Sequence, residues 1–336
     1  MPNVALLDTM TAATAVSLDR VNKEFVQWQR SGRMQDVLRN LVKPEKRVIA
    51  ALQDVSLSIA KGEFVAYAGA NGAGKSTTIK ILSGIMQPTS GQVSVLGMNP
   101  ERNRVELMRR IGVVFGQRTE LWWDHPVSVS FEWKKAVWDI PHPVYRERLK
   151  LVTELLELGD LLKTFSRELS LGQRMRADLG LMLLHDPELI FLDEPTLGLD
   201  VLAKRQMIDF LKRINREQGT TIVVTSHDMD DLEEMAERIV LLSRGQIAFD
   251  GSFDQLRELT GSLCRIRLTF QGDVQPLGIG TLRSVDRSTS EHEFDTAVIP
   301  VKDVLAEISQ LDGVIDIEIR KAPIEQIVAE LYTKWR

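Results

Sequence analysis

The sequence predicts an α/β protein with a mostly parallel sheet, followed by a small α+β unit. Three observations carry this reading. Four short runs, 64–68, 111–115, 189–192 and 221–225, are apolar almost throughout, as strands covered on both faces are. Helical stretches lie between them, notably 145–158 and 173–184, so strands and helices alternate from residue 14 to about 255. Past Gly251 the character changes to β-like runs at 264–270, 294–299 and 314–319 around a helix near 304–311.

In chain order, the first strand is expected at 15–18. Residues 26–47 then form an insertion in which Met34, Val37, Leu38, Leu41 and Val42 share one helical face. Six basic residues (Arg30, Arg33, Arg39, Lys43, Lys46, Arg47) against Asp36 and Glu45 leave it at +4. A basic amphipathic helix suits anionic lipid or a membrane partner, and equally an ordinary helix packed on its own domain. A strand follows at 48–59, and later a hairpin pairs 239–242 with 247–249 through Ser243-Arg244-Gly245. The last helix spans 324–332, with Pro323 in its first turn. The expected division is 1–258 for the first domain, with a helical subdomain at about 118–185, and 260–336 for the second.

Composition narrows the class. With 43% hydrophobic and 26% charged residues the chain reads as an ordinary globular protein, and a net charge of −5 argues against nucleic acid as a partner. The single cysteine, Cys264, cannot form an internal disulfide and is expected as a small core residue. No apolar stretch is long enough to span a bilayer; 179–192 is broken by His185-Asp186-Pro187-Glu188. The N-terminal residues lack a basic leader before an apolar run, so no secretory signal is expected.

Gly69-Ala70-Asn71-Gly72-Ala73-Gly74-Lys75-Ser76-Thr77 fits G-x-x-x-x-G-K-[ST], after a strand and before a helix at 77–82. Glycines let successive N–H groups curl around phosphates, and the helix N-terminus adds its positive dipole. Lys75 supplies a point charge, and the Ser76 hydroxyl is placed for Mg²⁺. A glycine-rich turn with a chance lysine is the bland alternative, and the strand and helix flanks outweigh it.

The apolar run 189–192 delivers Asp193 and Glu194 to a strand's C-terminal edge, where open α/β sheets bind ligands. Asp193 is expected to hold Mg²⁺ and Glu194 to act as general base on water. Two solvated acids would be the alternative without a phosphate loop. His227 ends another buried strand at the same edge and is expected at the γ-phosphate. Gln117, after 111–116, is expected to reach Mg²⁺ or the attacking water. Upstream, Ser170 of Glu168-Leu169-Ser170-Leu171-Gly172-Gln173-Arg174 can cap the next helix, a second helix start suited to phosphate.

The order phosphate loop, Gln117, LSLGQ, FLDEP, Gly198-Leu199-Asp200, His227 resembles the ATP-binding cassette (ABC) ATPases over about residues 14–255. The resemblance implies a P-loop NTPase cassette with an added antiparallel β portion and a helical subdomain. It implies ATP and Mg²⁺ as cofactors. Two cassettes, expected as a homodimer, would close head to tail. Ser170, Gly172 and Gln173 would then complete the other cassette's site, and Asp200 would communicate across the interface. Leu171 replaces the first of the usual paired glycines; Ser170 and Gly172 survive, so function is expected, with hydrolysis open to alteration. Phe25, with Trp28 as its rival, would stack on adenine. Trp122 and Trp123, costly to expose, either fill a core or meet a partner, and the resemblance implies contact with separate polytopic membrane subunits. The segments GQRTELWWDHPV, LSLGQRMRADL and TSHDMDDLEEMAERI are similar to multidrug-type exporters, including daunorubicin-like and viologen systems. That similarity implies export of an amphipathic or cationic compound from a peripheral position on the cytoplasmic face of the cell membrane. A soluble cassette protein of translation or repair, an importer cassette and an inactive scaffold are the competing readings.

Overall fold

The computed structural model describes residues 13–28, 46–115, 118–259, 263–296, 298–321 and 324–334. The chain divides into two compact units, Met1–Asp250 and Gly251–Arg336.

In the first unit, β1 (Thr14–Trp28), β2 (Lys46–Ala60), β3 (Phe64–Gly69), α1 (Lys75–Leu82), β4 (Ser90–Val95), α2 (Arg104–Met108) and β5 (Ile111–Phe115) come first. Helices α3 (Val127–Val137), α4 (His142–Leu155) and α5 (Leu171–Leu183) follow without an intervening strand. Then come β6 (Leu189–Asp193), α6 (Val201–Gln218), β7 (Thr221–Thr225), α7 (Met229–Met235), β8 (Arg238–Ser243) and β9 (Gln246–Ser252).

Two sheets make the framework. One is six-stranded in the order β5-β6-β7-β3-β8-β9, parallel from β5 through β8; the other is antiparallel in the order β2-β1-β4. Every residue of β3 and β7 is buried, which explains their unbroken apolar runs. A single core joins the sheets around α1, with Val16, Leu57, Tyr67, Ile79, Ile81 and Val240 fully or almost fully buried. The order of parallel strands brings the C-terminal ends of β3, β6 and β7 side by side.

The second unit holds α8 (Phe253–Glu258), β10 (Leu263–Phe270), β11 (Thr281–Val285), β12 (Thr289–Asp295), α9 (Val301–Ile308), β13 (Val314–Lys321) and α10 (Ile324–Lys334). Its antiparallel sheet has the order β11-β12-β10-β13. Ile266, Leu268, Phe270 and Phe294 pack with Val304 and Ile308 of α9, and Cys264 lies half-buried against this core.

Several expectations shift. The strand expected at 294–299 is β12, ending at Asp295. Its buried positions Ser290 and His292 are polar, so apolar patterning does not mark them; the Leu277 N–H donates to His292 Nε2 at 3.2 Å. The strand expected at 15–18 continues to Trp28 with register shifts, because polar residues on an exposed face interrupt the apolar pattern. The margins of the 26–47 insertion are therefore strand, with Val26 opposite Val48 and Gln27 opposite Arg47. The amphipathic helix expected between them falls on 29–45, outside the described residues.

Candidate functional site

The phosphate loop follows β3 and opens α1. Gly74 has φ 114° and no side chain caps the helix start. A Cβ at Gly74 would stand 2.7 Å from the Ala51 carbonyl and from Leu52, so glycine is required both for φ and for space. The Thr78 hydroxyl donates to the Gly74 carbonyl at 3.1 Å and pins the turn. Asn71 lies exposed at the loop tip, and Ala73 is buried beneath it.

Lys75 is buried, and its ammonium donates to the Gly69 carbonyl at 2.6 Å and the Ala70 carbonyl at 3.3 Å. Burial holds its pKa below the ordinary lysine value, opposed by the carboxylates of Glu194 and Asp193. Ser76, Asp193 and Glu194 line one open cavity of about 310 Å³ together with Lys80, Phe115 and Arg118.

The acidic edge is organised by Thr225, at the end of β7. Its hydroxyl donates to Asp193 Oδ1 at 2.7 Å, and the Glu194 N–H donates to both its carbonyl and its hydroxyl oxygen at 3.1 Å. Glu194 sits at φ 59°, left-handed backbone that a non-glycine residue adopts at a cost. That twist aims its carboxylate at His227, with Oε1 2.6 Å from Nε2. A carboxylate and an imidazole so paired, beside a buried ammonium and a helix N-terminus, can bind a triphosphate and move a proton from water.

Ser170 caps α5. Its hydroxyl accepts from the Gln173 N–H at 3.2 Å, and Gln173 Oε1 accepts from the Ser170 N–H at 2.9 Å. Asp200 caps α6 by accepting from the Ala203 N–H at 2.8 Å. The two helix starts lie together: a Cβ at Gly172 would meet the Ala203 methyl at 3.3 Å, and one at Gly198 would meet Leu171 at 2.7 Å. Leu171 thus occupies space that glycine at 198, with φ 73°, leaves open.

Phe25 lies within β1 rather than after the first strand, half-buried opposite Ile49, with the Lys23 ammonium 5.3 Å from its ring centre. Thr77 is half-buried in the first turn of α1. Gln117 lies outside the described residues. Trp122 and Trp123 are 39% and 51% exposed. Trp122 packs against His125 and Trp133, while the Arg174 guanidinium sits 4.8 Å from the Trp123 ring centre.

Sequence reasoning missed Thr225, Lys80, Arg118 and Asp178. Thr225 reads as a strand residue, and only pairing of β6 with β7 brings it to Asp193. Lys80 follows Lys75 by about 1.4 helical turns, a spacing visible in the sequence. Asp178 is buried in α5, accepting from the Thr119 hydroxyl at 2.9 Å and the Glu120 N–H at 3.1 Å. Burial raises its pKa to about 6, against the lowering effect of both hydrogen bonds.

A phosphate loop between a parallel strand and a helix, with carboxylates at the same edge on the strand one removed from it, defines a nucleoside-triphosphate hydrolase. Known proteins agree. Residues 52–197 match the ABC transporter family model. A Clostridium acetobutylicum protein described as an ABC transporter ATP-binding protein is 30% identical over 265 residues, 78% of this chain and 93% of that one. The Escherichia coli protein YbhF, described as a multidrug ABC transporter ATP-binding protein, is 34% identical over 62% of this chain and 36% of its own length. Import cassettes for methionine and for spermidine/putrescine are similar over comparable stretches. The dimeric post-hydrolysis structure of the cassette MJ0796 bound to ADP and phosphate superposes with a TM-score of 0.59. It is 27% identical and covers 70% of this chain and 98% of that one. The chain belongs to the ABC transporter ATP-binding proteins. It is an ATPase cassette that binds ATP, of a family whose cassettes dimerise and serve separate membrane subunits. No helix among the described residues is long and apolar enough to cross a membrane.

Proposed function

We propose that this chain powers an exporter of amphipathic or cationic compounds, hydrolysing ATP in a head-to-tail pair of identical cassettes. The observation that carries the hydrolytic assignment is the Glu194–His227 pair, 2.6 Å apart at the strand edge beside the phosphate loop.

In this reading the N–H groups of Gly69, Asn71, Gly72, Ala73 and Gly74, with Thr77 in the first helical turn, cradle the phosphates, and Phe25 stacks on adenine. Lys75 exchanges its loop carbonyls for the β- and γ-phosphates. Glu194 takes the proton of the attacking water, and His227 holds that carboxylate and contacts the γ-phosphate. Ser76, Asp193 and Gln117 are the proposed Mg²⁺ ligands. The fit is chemical: hydroxyl, carboxylate and amide oxygens are hard donors, and Asp193 Oδ1 is already oriented by Thr225. The metal, when bound, neutralises developing phosphate charge. Ser170, Gly172 and Gln173 of one cassette complete the other's site, and Asp200 relays between them.

Trp122, Trp123 and the basic 26–47 segment are the proposed contacts with polytopic membrane subunits. Trp122 lines a cavity of about 300 Å³ with Trp133, Trp138 and Met182 and with the polar Glu120, Lys134 and His185, and the exposed aromatic rings beside it support a protein partner. The export direction rests on the likeness of the segments around Trp122, the signature and His227 to exporter cassettes. The import relatives favour the opposite direction as the second reading.

Turnover by Glu194→Gln decides the hydrolytic claim. The variant is expected to bind ATP and lose about 10²–10⁴-fold in rate; an unchanged rate would sink it. Purification with membrane subunits, followed by transport in vesicles, decides direction.

A further inference from the structure

We infer that Asp178 is a positioning residue for hydrolysis: it ties the segment following Gln117 to the helix that starts at Ser170, so that engagement of one ATP site is felt at the other. The inference rests on the roles proposed above for Gln117 and Ser170 and adds the link between them.

Residues four apart lie along one side of a helix, and the side of α5 that begins at its cap, Ser170, continues through Arg174 and Asp178. The latter two grip the same neighbouring segment. The Arg174 guanidinium sits 4.8 Å from the Trp123 ring centre. Asp178 Oδ1 accepts from the Thr119 hydroxyl at 2.9 Å and from the Glu120 N–H at 3.1 Å. The Thr119 oxygen in turn accepts from the Leu121 N–H at 3.0 Å, which holds the segment in a turn beside the carboxylate. The far end of the segment is fastened just before the signature. The Arg167 N–H donates to the Trp123 carbonyl at 3.1 Å, and its guanidinium donates to Asp124 at 2.8 Å. The Ser166 N–H donates to the His125 carbonyl at 3.0 Å. Residues 119–125 are thus bonded at both ends to 166–178, the stretch that presents Ser170.

Of these fastenings, the Asp178 bonds lie nearest the proposed metal site, because Thr119 follows Gln117 by two residues. Asp178 is buried, and its donors among the described residues are Thr119 and Glu120. A buried carboxylate is costly to leave without its hydrogen bonds, so a displacement of α5 carries Thr119 and Glu120 with it. Such a displacement follows from the proposed role of Ser170. The start of α5 must exchange its capping box for the phosphate held by the other cassette. The change then passes down the Ser170–Arg174–Asp178 side of the helix to a point two residues from Gln117. A misplacement of about 1 Å at a reacting group is enough to cost about 10²-fold in rate.

The test compares Asp178→Leu, Asp178→Asn and Thr119→Val in the full chain. Asp178→Leu removes the acceptor and is expected to lower kcat by about 10–100-fold with KM unchanged. Asp178→Asn keeps an oxygen in the place of Oδ1 and is expected to restore most of the turnover. Thr119→Val breaks the link from the other side with α5 untouched, and it carries the test where Asp178→Leu does not fold. Hydrogen exchange with and without ATP, in the Glu194→Gln background, reads the link itself. ATP is expected to slow exchange over both 170–174 and 119–125; with the link removed, only 170–174 responds. Unchanged kcat, a 119–125 response that survives both Asp178→Leu and Thr119→Val, or equal damage by Asp178→Asn and Asp178→Leu would overturn the inference. No ATP response at 170–174 in the Glu194→Gln chain would instead remove the proposed role of Ser170, and this inference with it.

Discussion

Two helix N-termini in this cassette are candidate phosphate binders, and they differ in how they are satisfied. At α1 no side chain caps the start, Gly74 holds a backbone only glycine tolerates, and the first-turn N–H groups remain for a ligand. At α5 a reciprocal capping box between Ser170 and Gln173 already uses the groups proposed for phosphate. The first is a preformed site. The second must exchange its internal bonds for a ligand, which suits a half-site completed only when a second chain arrives.

The contrast can be broken at several points. Removing the Lys75 charge should have the largest effect: Lys75→Ala is expected to cut turnover by about 10²–10³-fold and weaken nucleotide binding by the isolated chain. Retained binding in a fluorescent-nucleotide titration would show that the loop alone suffices.

Next comes the fastening of α5 to the segment after Gln117 through Asp178. Its raised pKa means the folded state binds more protons than the unfolded state between the ordinary carboxylate range and about pH 6. Its contribution to stability therefore falls as pH rises through that window and is constant above it. Urea titrations from pH 4 to 7 should show a shallower decline for Asp178→Asn than for the parent. Parallel curves would remove Asp178 as the source.

Gly74→Ala forces an L-residue into φ 114° against the Ala51 carbonyl and should cost about 2 kcal/mol in denaturant unfolding, with loss of ATP binding. Ser170→Ala removes a cap and should cost only about 1 kcal/mol. It should leave ATP binding by a single chain intact while slowing turnover of the assembled pair. Equal damage to both properties would erase the distinction between the two helix starts.

Much of the site was legible because strand-end chemistry is local. The phosphate loop, Asp193-Glu194 and Ser170 each sit at a junction whose flanking residues reveal the element that presents them. Thr225 and Asp178 were not legible, since each acquires its meaning from a residue 32 or 59 positions away. Most of β1 was missed for a related reason: an exposed strand face is polar, and polar residues carry no periodic signal. Strand β12 was misplaced because its buried side chains include a serine and a histidine, the latter bonded by the Leu277 N–H of the loop between β10 and β11.

By itself, then, the sequence determined that a triphosphate loop stands at the end of one strand and two carboxylates at the end of another, because backbone conformation and burial at those junctions follow from adjacent residues. Only the tertiary structure decided that Glu194 turns to His227 through a left-handed backbone, that Thr225 holds both acids, and that Leu171 fills the space over Gly198. Those contacts depend on which strands and helices are neighbours, and long-range packing sets that order.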